Sequence, residues 1–416
     1  RLEHDWRRRR LDPCATLHLM ILQVLHQNTS MTHLPHLSGL RVTASAYCQA
    51  RQRLPQALMQ ELVDCFNAQL DCPRQSPLWH GHRVYIADGT GFSMPDTPEL
   101  QAQFGQPGGQ RPGCGFPVAH MLAMFDAESG FLRDLSVHPL RTQDFAQVAG
   151  LHPNLAPGDI LVGDRGLCSY AHMALLFQAN LHGLMRVHQK TIVDFHPHRR
   201  CATKGDAKGR PRSRWIRRLG PCDQIVVWRK PTTRPQWMSP EQFDALPASL
   251  QVRELKCQVR ESHARVHEVT LVTTLLDPKR YPAEDLAKLY RKRWQVEVDL
   301  RDLKTTLGMN VLKGKCVDVV MKEVLTYVLV HNLVRLVMLA ASRRQNVAAS
   351  RISFIDALRW LQPAKPAGDL PSLVVNPVRP NRIEPRCIKR HMKEYDLMTK
   401  PRRELRKRLK KRKKVA

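Results

Sequence analysis

The sequence predicts an α/β fold, and two observations carry that reading. Two short apolar runs, Val84 to Ala87 and Ile160 to Gly163, each stop at an aspartate beside a glycine, as strands at a sheet edge do. A second kind of segment has the 3.6-residue period of helices. The clearest one carries Leu286, Leu289, Val296, Leu300, Leu303 and Leu307 as one apolar stripe, with Pro282 at its start and Gly308 at its stop.

The elements follow in order. Residues 1–78 read as helical, with apolar periodicity from Leu17 to Leu25 and from Pro55 to Leu70 and a polar, basic stretch from Thr43 to Pro55 between them. Cys72-Pro73 and Ser76-Pro77 mark a linker. The strand Val84 to Ala87 then aims Asp88 out of the sheet edge, although Asp88-Gly89 is by itself also a common turn pair. Gln106 to Gly115, rich in glycine and proline, reads as a loop too irregular for a phosphate cradle. Val118 to Phe125 and Phe131 to His138 form a strand pair around Glu128-Ser129-Gly130, and Thr142 to Gly150 a short helix. The next strand ends at Asp164, where open α/β sheets place their active sites, and Gly163 and Gly166 allow close backbone approach there. Ser169 to Asn180 is a helix and Leu181 to Val187 a strand.

From His188 to Val266 the pattern changes. Arg199, Arg200, Lys204, Lys208, Arg210, Arg212, Arg214, Arg217, Arg218, Arg229 and Lys230 crowd a region whose alternating runs, Gln224 to Trp228 and Glu254 to Val259, read as strands. Trp215, Trp228 and Trp237 lie among these cations, where aromatic faces either pack or stack unpaired bases. Val269 to Leu276 returns as a strand, followed by the Pro282–Leu307 helix, a long helix from Val319 to Ala341, a further helical piece from Ile352 to Leu361, and a basic tail from Arg379 to Ala416 that reads as a flexible or weakly helical arm.

Charge narrows the partner. The chain has 66 Lys and Arg against 37 Asp and Glu, a net charge of +29, which favours a polyanion, nucleic acid above all. The longest apolar stretch, Val324 to Ala341, is interrupted by His331, Asn332 and Arg335 and reads as a core helix rather than a membrane span. No secretory signal opens the sequence, and the start at Arg1 rather than Met leads us to expect a missing N-terminal piece. Eleven cysteines without a CxxC pair argue against a disulfide framework or a zinc site, and isolated histidines such as His120 and His138 are read as structural.

On the helix, at about 100° per residue, Tyr290, Arg293, Glu297 and Lys304 fall within roughly 60° of one another. A carboxylate held on a packed helix beside cations suits catalysis or metal binding, while the same geometry also describes a solvated rim with an Arg293–Glu297 pair. The spacing Tyr290-x2-Arg293-x3-Glu297-x6-Lys304, with two strand-end aspartates upstream, resembles the YREK signature of bacterial insertion-sequence transposases of the DDE class, in the subfamily with a β-rich insertion before the catalytic Glu. Ala50-Arg51-Gln52-Arg53-Leu54 resembles a segment near the start of these proteins, and Arg386, Lys389, Arg390 and Lys400-Pro401-Arg402 resemble their basic ending.

The resemblance implies a ribonuclease-H-like catalytic core interrupted by a β-rich insertion, with a helical N-terminal domain and a basic C-terminal tail. The implied division is 1–78 for the DNA-binding N-terminal domain, 79–187 and 267–345 for the two parts of the core, 188–266 for the insertion, and 346–416 for the C-terminal region. It implies Asp88, Asp164 and Glu297 as catalytic residues holding Mg²⁺ or Mn²⁺, two ions in all, with Tyr290, Arg293 and Lys304 against DNA. Carboxylates suit these hard cations, and ions about 3.5–4 Å apart activate a nucleophile and stabilise the leaving oxygen of a phosphodiester. Without them, three close carboxylates repel and at least one should resist ionisation. The implied partners are double-stranded DNA with terminal inverted repeats and target DNA, with a homodimer in the DNA complex, in the bacterial cytoplasm at the nucleoid and with no membrane. The implied reaction is hydrolysis at the element ends and attack of the freed 3′-OH on target DNA, with a hairpin route open and one insertion tryptophan supporting a flipped base. A nuclease of the same fold without strand transfer, and a non-catalytic DNA-binding derivative, stand beside this reading.

Overall fold

In the computed structural model the described residues are 10–70, 78–142, 144–188, 191, 193–197, 210–260, 266–363, 369–377 and 398–412. Arg199, Arg200, Lys204 and Lys208 of the expected insertion, and Arg386, Lys389, Arg390 and Lys393 of the tail, lie outside them.

The N-terminal region is helical: α1 (Pro13–Leu25), α2 (Leu34–Ser38), α3 (Ala44–Arg53) and α4 (Gln56–Leu70). Local chemistry starts these helices. Asp12 accepts the Ala15 N–H at 2.7 Å ahead of Pro13, and Thr43 accepts the Ala46 N–H at 3.1 Å. Then come β1 (Val84–Ser93), α5 (Pro98–Phe104), β2 (Val118–Asp126), β3 (Leu132–Pro139), α6 (Asp144–Gln147), β4 (Ile160–Gly163), α7 (Tyr170–Gln178) and β5 (His182–Arg186). The basic region contributes β6 (Arg212–Gly220), β7 (Asp223–Arg229), α8 (Pro240–Asp244) and β8 (Ser249–Arg260), and β9 (Val266–Thr273) follows. The remainder is α9 (Ala283–Arg291), α10 (Arg293–Arg301), α11 (Val317–Gln345), α12 (Phe354–Leu361) and α13 (Arg402–Arg412).

All nine strands form one mixed sheet in the order β3-β2-β1-β4-β5-β9-β8-β7-β6. Only β1, β4 and β5 run parallel; every other pairing is antiparallel. The strands expected between 188 and 266 form, but as a continuation of the central sheet, because β8 pairs along β9 while β9 also pairs with β5. The buried Arg253 ties this extension to the helical layer. It donates to both carboxylate oxygens of Asp223, at 2.8 and 2.5 Å, and to the Tyr281 carbonyl at 2.6 Å, at the mouth of α9.

The sheet separates two apolar layers, as alternation along a strand requires. Val84, Ile86, Phe92, Ile160 and Val162 face the layer built with α1, α10, α11 and α12, whereas Tyr85, Ala87, Leu161 and Met185 face the layer with α7 and Trp228. Helix α11 is long and apolar enough to cross a membrane by length and composition alone. His331, Asn332 and Arg335 do not lower its hydropathy enough, yet 78% of its apolar window is buried inside this fold, so it serves as a core helix.

Two further differences matter. Strand β1 does not end at Ala87 but continues through Asp88 to Ser93, since β2 offers a partner at every position, Asp88 opposite Ala123 and Ser93 opposite Val118. The single helix expected through Lys304 is broken at Lys292 into α9 and α10 and closes with a π-turn, Asp302–Thr306, in which the Leu307 N–H reaches the Asp302 carbonyl at 2.9 Å.

Helix α10 is fixed to α11 by a buried ion pair between Asp299 and Arg335, side chains 3% and 4% exposed, with the Arg335 guanidinium 5.7 Å from the centre of the Phe354 ring on α12. Breaking one side of such a pair strands the other charge in the core. Asp299→Ala should therefore destabilise the protein by about 3–5 kcal/mol, read from urea unfolding; a loss below about 1 kcal/mol, the size of a surface pair, would show that α10 is held by apolar packing alone.

Candidate active site

The parallel register of β1 and β4 sets the first two carboxylates side by side. Val84 pairs with Ile160 and Ile86 with Val162. Two residues further on, the same row reaches Asp88 on β1 and Asp164 just past the end of β4. Both therefore belong to the face that carries α10. Parallel strands lie about 4.8 Å apart, so neighbours in a row have little space between them. Each carboxylate is steadied by a nearby N–H: Gly89 donates to Asp88 Oδ1 at 2.9 Å, and Gly166 to Asp164 Oδ1 at 2.6 Å. A side chain at position 166 would put its first carbon 3.0 Å from Asp164 Oδ1, so the glycine makes room for this contact.

Helix α10 packs across β1 and supplies the third carboxylate. Arg293, in its first turn, reaches both Asp88, with Nη1 3.5 Å from Oδ2, and Glu297, with Nη2 3.1 Å from Oε1. One guanidinium thus bridges a strand carboxylate and a helix carboxylate. Its side chain is 11% exposed and lies 4.7 Å from the centre of the Trp294 ring. Glu297 is the most open of the group, its side chain 56% exposed.

Burial dominates the electrostatics. It pushes the Asp88 carboxyl up to about 6, with the Gly89 N–H and Arg293 opposing and the charges of Asp164 and Glu297 adding to the rise. One carboxyl of the three does resist ionisation, but desolvation contributes more than repulsion.

The polar edge expected on the helix is divided. Tyr290 is 1% exposed and its phenol is pushed up to about 12, first by burial. It packs beneath Arg293 rather than lining an open edge. Lys304, carried on the π-turn, donates to Thr90 Oγ1 at 2.9 Å, and burial lowers its pKa. Thr90 was not singled out from sequence. Period-two alternation was the available signal, because Val84, Ile86, Asp88, Thr90 and Phe92 share one face of β1. Of the three tryptophans, Trp228 is 2% exposed and donates to Glu254 at 2.9 Å, so it is committed to the core, while Trp215 and Trp237 are half-buried.

The donor set suits a hard divalent cation, since its members are carboxylates and a cation already stands between two of them. Among the described residues no three His, Cys, Asp or Glu side chains are close enough to hold a metal ion together, so the three carboxylates face one place without closing on it.

Compared with known proteins, residues 79–333 match the family model for the transposase DDE domain. A curated relative, the transposase InsG for insertion sequence element IS4 of Escherichia coli (strain K12), is 24% identical over 375 residues, covering 85% of this chain and 78% of the relative. Among solved structures, a piggyBac transposase synaptic complex with hairpin DNA aligns with a TM-score of 0.43 and 11% identity over 83% of this chain and 70% of its own. A Mos1 mariner paired-end complex with Mn aligns at 0.18 and 14%, over 44% and 61%.

The half-buried Asp88 makes a pH prediction. Its pKa is raised in the folded state, so ionising it costs stability as pH rises from about 4 to about 6, and the full cost is present above that. In chelator-treated protein, Asp88→Asn should gain on the order of 1–3 kcal/mol near neutral pH and nothing near pH 4. Chemical unfolding at both pH values reads this; an equal effect at both would mean Asp88 ionises there as it would in water.

Proposed function

This chain belongs to the transposases with a DDE domain, and we propose that Asp88, Asp164 and Glu297 are the residues with which it cuts and joins DNA. It is an enzyme acting on DNA, as its family and its insertion-sequence relative establish. The observation that carries the assignment is that Asp88 and Glu297 converge on one cation while the charge of Asp164 lies close enough to raise the pKa of Asp88.

The three carboxylates would hold Mg²⁺ or Mn²⁺, as two ions. Once bound, such ions supply Lewis-acid stabilisation of the phosphodiester and a nucleophile at neutral pH. The protein's own residues do the rest. Asp88 and Asp164, fixed by adjacent strands, would set where the ions sit, since bare carboxylates repel phosphate. Glu297 arrives from α10, an element held separately, so docking of that helix completes the site. Lys304 has a cation next to this face, and its link to Thr90 keeps the ammonium from swinging into solvent. Tyr290, buried beside Arg293, sets the position of that guanidinium and through it bears on DNA. Water hydrolyses the element end, and the freed 3′-OH then attacks target DNA; a hairpin between these steps uses the same groups.

The same reading assigns a ribonuclease-H-like core to the central sheet, with residues 1–78 as the domain that meets the terminal repeat, 188–266 as the basic insertion, and a homodimer on DNA in the bacterial cytoplasm. Arginines 212, 214, 217 and 218 are exposed along the edge strand β6, where charge both blunts strand-to-strand aggregation and attracts phosphate. Helix α13 carries Arg402, Arg403, Arg406, Lys407, Arg408, Lys410, Lys411 and Arg412, and its first residue is seated on the core: Arg402 donates to the Gly115 carbonyl at 3.0 Å and lies 3.9 Å from the centre of the Phe116 ring.

The test is single-turnover cleavage of a pre-bound duplex carrying the inverted repeats that flank the gene. Alanine at Asp88, Asp164 or Glu297 should each lower cleavage at least a thousandfold, more than about 4 kcal/mol of barrier, with DNA affinity within about threefold, roughly 0.6 kcal/mol, of wild type. Cleavage surviving any of the three would remove that residue from the site. Cleavage without joining to a plasmid would make the protein a nuclease.

A further inference from the structure

We propose that Arg293 gates the cation site. With no DNA bound its guanidinium occupies the place between Asp88 and Glu297, and its withdrawal onto a DNA phosphate opens that place to a divalent cation. The proposal rests on reading Asp88, Asp164 and Glu297 as the cation-holding set.

Geometry supplies the argument. The two nitrogens of one guanidinium reach carboxylates on different elements, 3.5 Å to Asp88 and 3.1 Å to Glu297. A divalent cation set between these two carboxylates would need the space the guanidinium fills, and two positive groups that close repel. The two occupants therefore compete for the place. Charge favours exchange, because a single positive charge faces three carboxylates in the one row-and-helix arrangement. Arg293 also has unused bonding capacity: its Nε is buried with no hydrogen-bond partner among the described residues. A guanidinium whose buried Nε leaves it incompletely bonded, flanked by the Trp294 ring at 4.7 Å, gains by turning outward onto a phosphate, whose oxygens match its planar fork. DNA and cation would then bind with positive coupling, and by linkage each would raise the affinity for the other. Without DNA the guanidinium competes with the cation and weakens its binding.

The test measures Mn²⁺ binding to the full chain without DNA, by the electron paramagnetic resonance signal of the free ion. Arg293→Gln should bind Mn²⁺ about tenfold tighter than wild type or more, and adding Asp88→Asn should remove that gain. If Arg293→Gln binds no tighter while Asp88→Asn alone still weakens Mn²⁺ binding, the gate is wrong and the cation site stands. If Asp88→Asn changes nothing in either background, the cation site itself is misassigned and the gate falls with it. Should Arg293→Gln fail to fold, wild-type tryptophan fluorescence decides. Mg²⁺ should change the emission and Trp294→Phe should abolish the change, since the guanidinium leaves that ring; emission unaltered at saturating Mg²⁺ would overturn the proposal.

Discussion

Like charges at the end of a parallel strand pair are the constraint on which the site depends. The β1–β4 register lines up Asp88 and Asp164 on one face, and α10 adds Glu297 opposite. Water screens such charges poorly once they are buried, so the fold must answer with donors and cations. It does so at several depths. The Gly89 and Gly166 N–H groups hold the aspartates, Arg293 bridges Asp88 to Glu297, and Lys304 is kept on Thr90 next to them. The same balance recurs away from the site. Asp299 is matched by Arg335 in a fully buried pair, and Asp223 by the buried Arg253, each where one helix or strand must be fixed to another.

This arrangement separates rigid from movable parts. Asp88 and Asp164 are built into the sheet, and their positions are set by backbone pairing. Glu297 and Lys304 belong to helical segments on either side of changes in backbone type, a break at Lys292 before one and a π-turn at the other. A π-turn widens the helix locally and alters which residues share a face, and such turns concentrate at functional sites. Lys304 consequently faces Thr90 on β1 rather than continuing the line of Arg293 and Glu297.

Much of this was legible in the sequence. The two aspartates could be picked out because β-branched and aromatic runs leading to Asp beside Gly are local signals, although only Asp164 follows a strand end. The helix stripe could be read because six leucines and valines recur at helical spacing. What local signals miss is partnership. Strand β1 runs past Asp88 because β2 is long enough to pair with it, and nothing in residues 89–93 announces that. The depth of Tyr290 and the role of Thr90 depend on how α9 and the π-turn lie against the sheet, which period-3.6 geometry on a straight helix does not contain. Trp228 looked like its two neighbours among the cations, yet its face of β7 turns inward, and only the pairing with β8 decides that.

The central claim is that three carboxylates from β1, the end of β4 and α10 serve one metal site. Anomalous X-ray scattering from a Mn²⁺-loaded complex with flanking-repeat DNA tests it most directly. The account predicts anomalous peaks within about 2.0–2.6 Å of oxygens from Asp88, Asp164 and Glu297, the coordination range of hard divalent cations, with the Arg293 guanidinium no longer between Asp88 and Glu297. A well-ordered Mn²⁺ held by other side chains, with Arg293 still bridging Asp88 and Glu297, would contradict it.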